Sequence, residues 1–130
     1  MIIPYKIFSD GGRLPFATLT IKGPKNSALV DAFVDSGADY SIFHAGWIKD
    51  LGLRKEDAAV KKIQVGDGDY IYAYLFTIQV AFYGHKFSAP IAFSKSLGPG
   101  FNLLGRKGFF EKYRFCFDDK HFVLSVTPLT

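Results

Sequence analysis

What most constrains this chain is its punctuation. Turn signals interrupt it about every dozen residues, and the runs between them are short and apolar. "SDGGR", "KGPKNS", "GDGD" and "YGHK" each set glycine, proline, asparagine or aspartate where a chain can reverse. Phe, Tyr, Val, Ile and Thr fill the intervening runs, and such residues suit a pleated, half-buried surface. Many short strands in succession must close on themselves or pack face to face to bury their apolar sides. The expectation is a mainly β fold built as one domain over residues 1–130, since 130 residues make one core.

Along the chain, Ile2 to Phe8 reads as a strand and Leu14 to Ile21 as a second. Ala28 to Val34 is a third, and "YSIF" after Gly37 is extended. "HAGWIKDLG" (His44 to Gly52) has apolar residues at helical spacing and a glycine stop, which predicts a short helix. "RKEDAAVKK" has no clear pattern. Ile63 to Val65 and Tyr70 to Phe82 flank "GDGD", a hairpin turn because glycine accepts positive φ. Phe87 to Phe93 is a strand, "SKSLGPG" a loop and "GRKGFFEKY" a second short helix. Arg114 to Phe117 and His121 to Val126 form a last hairpin around "DDK".

Charge and cysteine narrow the partners. Sixteen Lys and Arg against twelve acids leave a net charge of +4, but the basic residues are scattered. The tightest pairs, Lys61-Lys62 and Arg106-Lys107, are too short for a nucleic-acid groove, so a solvated basic surface is expected and no nucleic acid. No apolar run approaches the roughly 20 residues of a membrane helix. The start, "MIIPYKIFSDGGR", lacks the features of a signal peptide. One cysteine forms no internal disulfide. A cytoplasmic protein without membrane contact is expected.

One stretch stands out. In "ALVDAFVDSGADYSIF" the carboxylates and glycine of Asp35, Ser36, Gly37, Ala38 and Asp39 sit between two apolar runs. A surface turn explains the tripeptide Asp-Ser-Gly by itself. As chemistry, the stretch mounts a carboxylate at the end of a rigid strand, with Ser36 able to pin the loop and Gly37 leaving room for close approach. About seventy residues later comes "FNLLGR", two aliphatics followed by glycine. A strand before Asp-Ser-Gly, a long hairpin, then Leu-Leu-Gly and a short helix is a far more specific order than any one piece.

That order resembles the retropepsin-like aspartic proteases, the single-lobe family of the retroviral enzymes, over roughly Arg13 to Tyr113. The matching pieces are "LVDAFVDSGAD", the Gly66-Asp67-Gly68 hairpin in the flap position, "YGHKF" and "NLLGR". The resemblance implies a single-lobe acid-protease barrel with one or two short helices and its active site at a two-fold dimer interface. Asp35 then matches the catalytic aspartate. Ser36 matches the residue that grips the partner's loop, and Gly37 the one whose carbonyl accepts a bond from substrate. Ala38, Asp39, Tyr40, Gly66, Asp67 and Gly68 fall in substrate-binding positions. Leu104, Gly105 and Arg106 support the loop, with Arg106 pairing Asp39, and Arg13 stands where the family often has an arginine that crosses to the partner. The implied activity is a homodimeric endopeptidase that hydrolyses peptides or proteins with no metal and no cofactor. This sequence departs from the retroviral pattern in its acidic flap tip, in Tyr40, and in a C-terminal "RFCFDDKHFVLSV" longer than the retroviral dimer strand.

The chemistry itself calls for a dimer. It needs two carboxylates sharing one proton, because like charges about 3 Å apart cannot both ionise. The chain carries one such motif, so the second copy must come from a two-fold-related partner. Other readings of these residues are weaker. Asp31, Asp35 and Asp39 lack the His, Cys or calcium-loop spacing of a metal site. His44, His85 and His121 are far apart, Cys116 reads as an inert thiol, and Trp47 as core. Tyr70, Tyr72 and Tyr74 share one strand face and either line the flap or cover the core. The competing function is a catalytically silent module of the same fold that holds extended peptides or a protein partner.

Overall fold

The structure is a computed structural model that describes residues 1–97 and 100–130. It is mainly β. Strands β1 (Ile2–Pro4), β2 (Lys6–Ile7), β3 (Arg13–Leu14), β4 (Phe16–Lys22), β5 (Ser27–Val34) and β6 (Ser41–His44) precede the helix α1 (Gly46–Leu51). After it come β7 (Ala59–Gln64), β8 (Tyr70–Phe82), β9 (His85–Ser94), β10 (Leu103–Leu104), β11 (Tyr113–Asp118) and β12 (Val123–Pro128). Single 3-10 turns cover Lys55–Asp57 and Lys95–Leu97. The expected "SKSLGPG" loop therefore begins with a 3-10 turn; Gly98 and Pro99 lie outside the described residues.

Seven strands form one sheet in the order β4-β5-β10-β6-β9-β8-β7. The long β8 brings its two ends together. Its first half pairs β7, from Tyr70↔Gln64 to Leu75↔Ala59, and its second half pairs β4 through Thr20–Lys22. Its other edge runs against β9. Six strands thus close into a hydrogen-bonded circuit, and β7 projects from it as one arm of a hairpin. Side chains alternate across a strand, so β4 turns Ala17, Leu19 and Ile21 inward while β5 turns in Val30, Ala32 and Val34. Phe43, Phe82, Phe93 and Phe109 fill the centre and are fully buried. The polar Ser41 and Ser94 are buried too, and each is hydrogen-bonded. A second sheet, β1-β12-β11, packs Tyr113, Leu124 and Val126 against the same core. No helix among the described residues is long and apolar enough to cross a membrane.

The short helix forms where its spacing predicts it and ends on Gly52, whose φ of 77° is left-handed. Three other expectations need correction. The strand over Ile2 to Phe8 is broken at Tyr5, which turns its N–H to the Phe122 carbonyl at 2.8 Å and buries its ring. Its hydroxyl donates to Asp119 at 2.7 Å, and burial together with that carboxylate pushes its pKa up to about 12. The strand over Leu14 to Ile21 splits at Pro15, which has no N–H to give a ladder. "GRKGFFEKY" forms two separate turns rather than a helix. Phe110 N–H bonds the Arg106 carbonyl and Tyr113 N–H bonds the Phe109 carbonyl, each at 2.9 Å. Between their starting points Gly108 takes φ +83°, which a right-handed helix cannot pass through.

A surface cluster ties β2 to the sheet. Thr18 Oγ1 donates to Asp31 Oδ1 at 2.7 Å, and Lys6 Nζ reaches Asp31 Oδ2 at 3.2 Å. The threonine bond first, and the lysine after it, hold the Asp31 carboxyl below its ordinary range. A carboxyl lowered on folding stabilises the fold above its unfolded value near pH 4, and that contribution is lost as pH falls through the lower folded value. Both partners are about half exposed, so Asp31→Asn should cost about 1 kcal/mol or less at pH 7. Denaturant melts of both proteins from pH 7 to pH 2 should show this difference shrinking toward zero in acid.

Candidate functional site

Asp35 follows the last residue of β5, and its neighbours are stitched on both sides. Val34 N–H bonds the Pro15 carbonyl at 2.9 Å, and Asp35 N–H bonds the Leu104 carbonyl at 3.0 Å. β10 runs parallel to β5 there, with Leu103 opposite Phe33 and Leu104 opposite Val34. Past Asp35 the chain turns on its own side chain. Gly37 N–H donates to Asp35 Oδ1 at 2.9 Å, and Ala38 N–H to the Asp35 carbonyl at 3.2 Å. A Cβ at position 37 would stand 3.2 Å from that carboxylate oxygen, so glycine suits the tight path.

The segment after β10 secures the far side of the loop. Arg106 and Lys107 donate their N–H groups to the carbonyls of Ala38 and Asp39, each at 2.8 Å. Gly105 lies buried between these contacts and gives its own N–H to Ser41 Oγ at 2.9 Å. A side chain at Gly105 would run into the carbonyls of Tyr40 and Ala38. The short Leu-Leu-Gly run thus bonds to both limbs of the loop that presents Asp35.

Above the loop lies an open cleft of about 640 Å³. Asp35, Gly37, Ala38 and Asp39 line one side. The end of β7 and its turn, from Lys62 through Gly66 and at Gly68, line the other. Tyr40, Ile42 and Leu103 bound it further. The expected residues Asp35, Gly37, Ala38, Asp39, Tyr40, Gly66 and Gly68 therefore meet in one place. Arg106 Nη2 pairs with Asp39 Oδ1 at 3.2 Å, both side chains being more than half exposed.

Other expected residues sit elsewhere. Ser36 is exposed on the loop but does not line the cleft. Asp67 at the hairpin tip accepts the Asp69 N–H at 2.9 Å, capping its own turn instead of facing the cleft. Leu104 lies buried under the loop as a support. Arg13 stacks its guanidinium 4.6 Å from the Phe122 ring centre, away from the cleft. Of the three alternating tyrosines, Tyr70 and Tyr72 stand exposed and Tyr74 packs on the core; none lines the cleft. Sequence reasoning missed Lys62, Ile63, Gln64 and Val65 as cleft residues, and it missed Lys61 and Lys107, which approach the Tyr40 ring. The only signal for them was their place just before the "GDGD" turn and just after Leu-Leu-Gly-Arg.

Chemically the site offers one carboxylate without a cationic partner, because Asp39 is engaged by Arg106. No His or Cys lines the cleft among the described residues, and no three His, Cys, Asp or Glu side chains there converge as metal ligands. An ionised carboxylate can take a proton from water; a protonated one can donate to a carbonyl oxygen. One group cannot do both at once.

If Gly105 holds the loop, Gly105→Ala should cost about 1–3 kcal/mol, because the two carbonyls it meets are backbone. Gly66→Ala, with nothing within 4 Å of its new methyl, should stay within about 0.5 kcal/mol of wild type. Denaturation midpoints of the two variants check the contrast; equal costs would remove Gly105 from its role. No model of a known protein family matches the chain, and comparison with curated proteins likewise finds no match.

Proposed function

We propose that the chain is an aspartic endopeptidase of the retropepsin-like type, acting as a homodimer on peptides or proteins. The observation that carries this reading is the Asp35 carboxylate, set at a strand end on a doubly stitched loop, beside an open cleft. The β7–β8 hairpin across the cleft is then the flap, and the closed strand circuit is the acid-protease lobe. An exposed Ser36 suits a residue that bonds a partner's loop. The lone thiol suits a reducing compartment such as the cytoplasm.

In this mechanism two Asp35 carboxylates face each other across a two-fold axis and share one proton. The ionised one removes a proton from water as the water attacks the scissile carbonyl carbon. The protonated one donates its hydrogen to the carbonyl oxygen, which gives a neutral tetrahedral diol. Collapse of the diol returns a proton to a carboxylate and delivers one to the leaving nitrogen, so the C–N bond breaks and the dyad is restored. The Gly37 carbonyl accepts a backbone N–H of the peptide, and Asp39, fixed by Arg106, positions the strand beside it.

An acidic hairpin tip favours a silent peptide-binding module of the same fold. Asp67 caps its own turn, so the acid has a structural use that leaves catalysis open. The silent module would hold the same peptides with Asp35 idle.

Asp35→Asn keeps the shape of the side chain but cannot act as base. It should abolish cleavage of a denatured protein such as casein while leaving the melting temperature within a few degrees of wild type. The wild-type rate should follow a bell in pH with its optimum on the acid side of neutral, set by two values that belong to the pair. Equal activity in both proteins would refute the mechanism; tight peptide binding with no cleavage by either would leave the silent module. Sedimentation at micromolar concentration should show a dimer or a concentration-dependent mixture. A strict monomer that still cleaves would contradict the shared dyad.

A further inference from the structure

The Tyr40 end of the cleft carries more positive charge than peptide backbone recognition needs. Tyr40 lines the cleft. Lys107 Nζ lies 4.5 Å from its ring centre and 3.3 Å from its hydroxyl. Lys61 Nζ lies 5.9 Å from the same ring centre, whereas Lys62, the next residue, lines the cleft but sets its Nζ 4.5 Å from the Tyr70 ring centre. None of these three lysines reaches a carboxylate at ion-pair distance among the described residues.

The register explains how they gather. On β7, Lys61 and Ile63 stand opposite Ala73 and Ile71 of β8, and this face carries Ile63 and Ile71 onto the cluster that also takes Tyr40. Lys107 arrives from the other side of the chain, held by its N–H bond to the Asp39 carbonyl. Two ammonium groups thus approach one ring from separate elements, and neither pairs with a carboxylate among the described residues. Each gains from the ring's π face, while their like charges repel. A carboxylate placed beside them would relieve that repulsion and could also accept a hydrogen bond from the Tyr40 hydroxyl.

Elsewhere the cleft carries acids. Asp35 and Asp39 line it, while Asp67 and Asp69 stand at the hairpin tip outside its lining. Arg106, the remaining nearby cation, is engaged by Asp39. An acidic side chain is repelled at Asp35 and attracted at Tyr40.

We propose that the Tyr40 end of the cleft is a subsite for a carboxylate side chain, formed by Tyr40, Lys61 and Lys107, and that the preferred peptides are therefore acidic at one position. The inference rests on the peptide-cleft reading above. It adds a specificity that neither a protease nor a silent module of this kind requires.

The test is digestion of a mixed peptide library, with the residues around every cleaved bond read by mass spectrometry. Glu and Asp should be enriched about fivefold at one position in the wild type, the gain expected from partly exposed ion pairs. The enrichment should fall to about onefold in Lys61→Met/Lys107→Met, and it should weaken from 50 to 500 mM salt. Cleavage with no acidic preference in the wild type overturns this inference and leaves the protease reading standing. If nothing is cleaved, the same comparison is made by fluorescence anisotropy with paired Glu- and Gln-containing decapeptides. An affinity ratio of about five that vanishes in the double variant then upholds the subsite while the protease reading fails. A ratio of one, or an oligothymidine that displaces the Glu peptide from the same lysines, overturns the subsite, the latter in favour of nucleic-acid binding.

Discussion

The structure around Asp35 depends on one short piece of parallel pairing. β10 is only Leu103 and Leu104, yet it sits between β5 and β6 and completes the strand circuit. The Leu104 carbonyl takes the Asp35 N–H, and the next residues reach across to the carbonyls of Ala38 and Asp39. Asp35 is held by this pairing from below and by its own turn from above. Gly105 permits it, since any side chain there would strike the loop's carbonyls. A functional carboxylate must keep one position against its substrate, and bonds to rigid strands achieve that better than a free loop would.

In the proposed enzyme a site so placed is one half of the machinery. Its cleft is open, its second acid is engaged by Arg106, and no His or Cys lines it among the described residues. In the proposed enzyme the missing half is a second Asp35. The single chain would then carry the scaffold, the peptide groove and one carboxylate, with chemistry arising only where two copies meet. In the proposed groove, lysines at Tyr40 and an unpaired carboxylate at Asp35 would set a direction in charge. That polarity is independent of whether the bond is cut.

Much of the fold was legible because its signals are local. Alternation in β4 and β5, the glycine turns and the capped helix α1 all follow from neighbours in sequence. The failures were also physical. Tyr5 breaks a good strand pattern because its ring is wanted in the core, which only tertiary packing decides. Gly108 stops an apparent helix by packing where Pro90 and Ala89 leave no room for a side chain. The Asp35 loop and its Leu-Leu-Gly support were legible as an order of motifs; their contact, across about seventy residues, was readable only through that order. Asp67 was misplaced because a turn acid and a cleft acid look alike in sequence. Lys61 and Lys107 went unseen because their meeting at Tyr40 depends on strand register and a long-range bond, neither of which local pattern reveals.

The central claim is that catalysis needs one Asp35 from each of two chains. It is tested most directly by unfolding wild type and Asp35→Asn together in equal amounts, refolding the mixture and measuring its rate of peptide cleavage. Random pairing of chains leaves both carboxylates in roughly one quarter of the dimers, so the activity per total chain should fall to roughly one quarter of wild type. A fall to only about one half would mean that each chain works alone, and the shared dyad would be wrong.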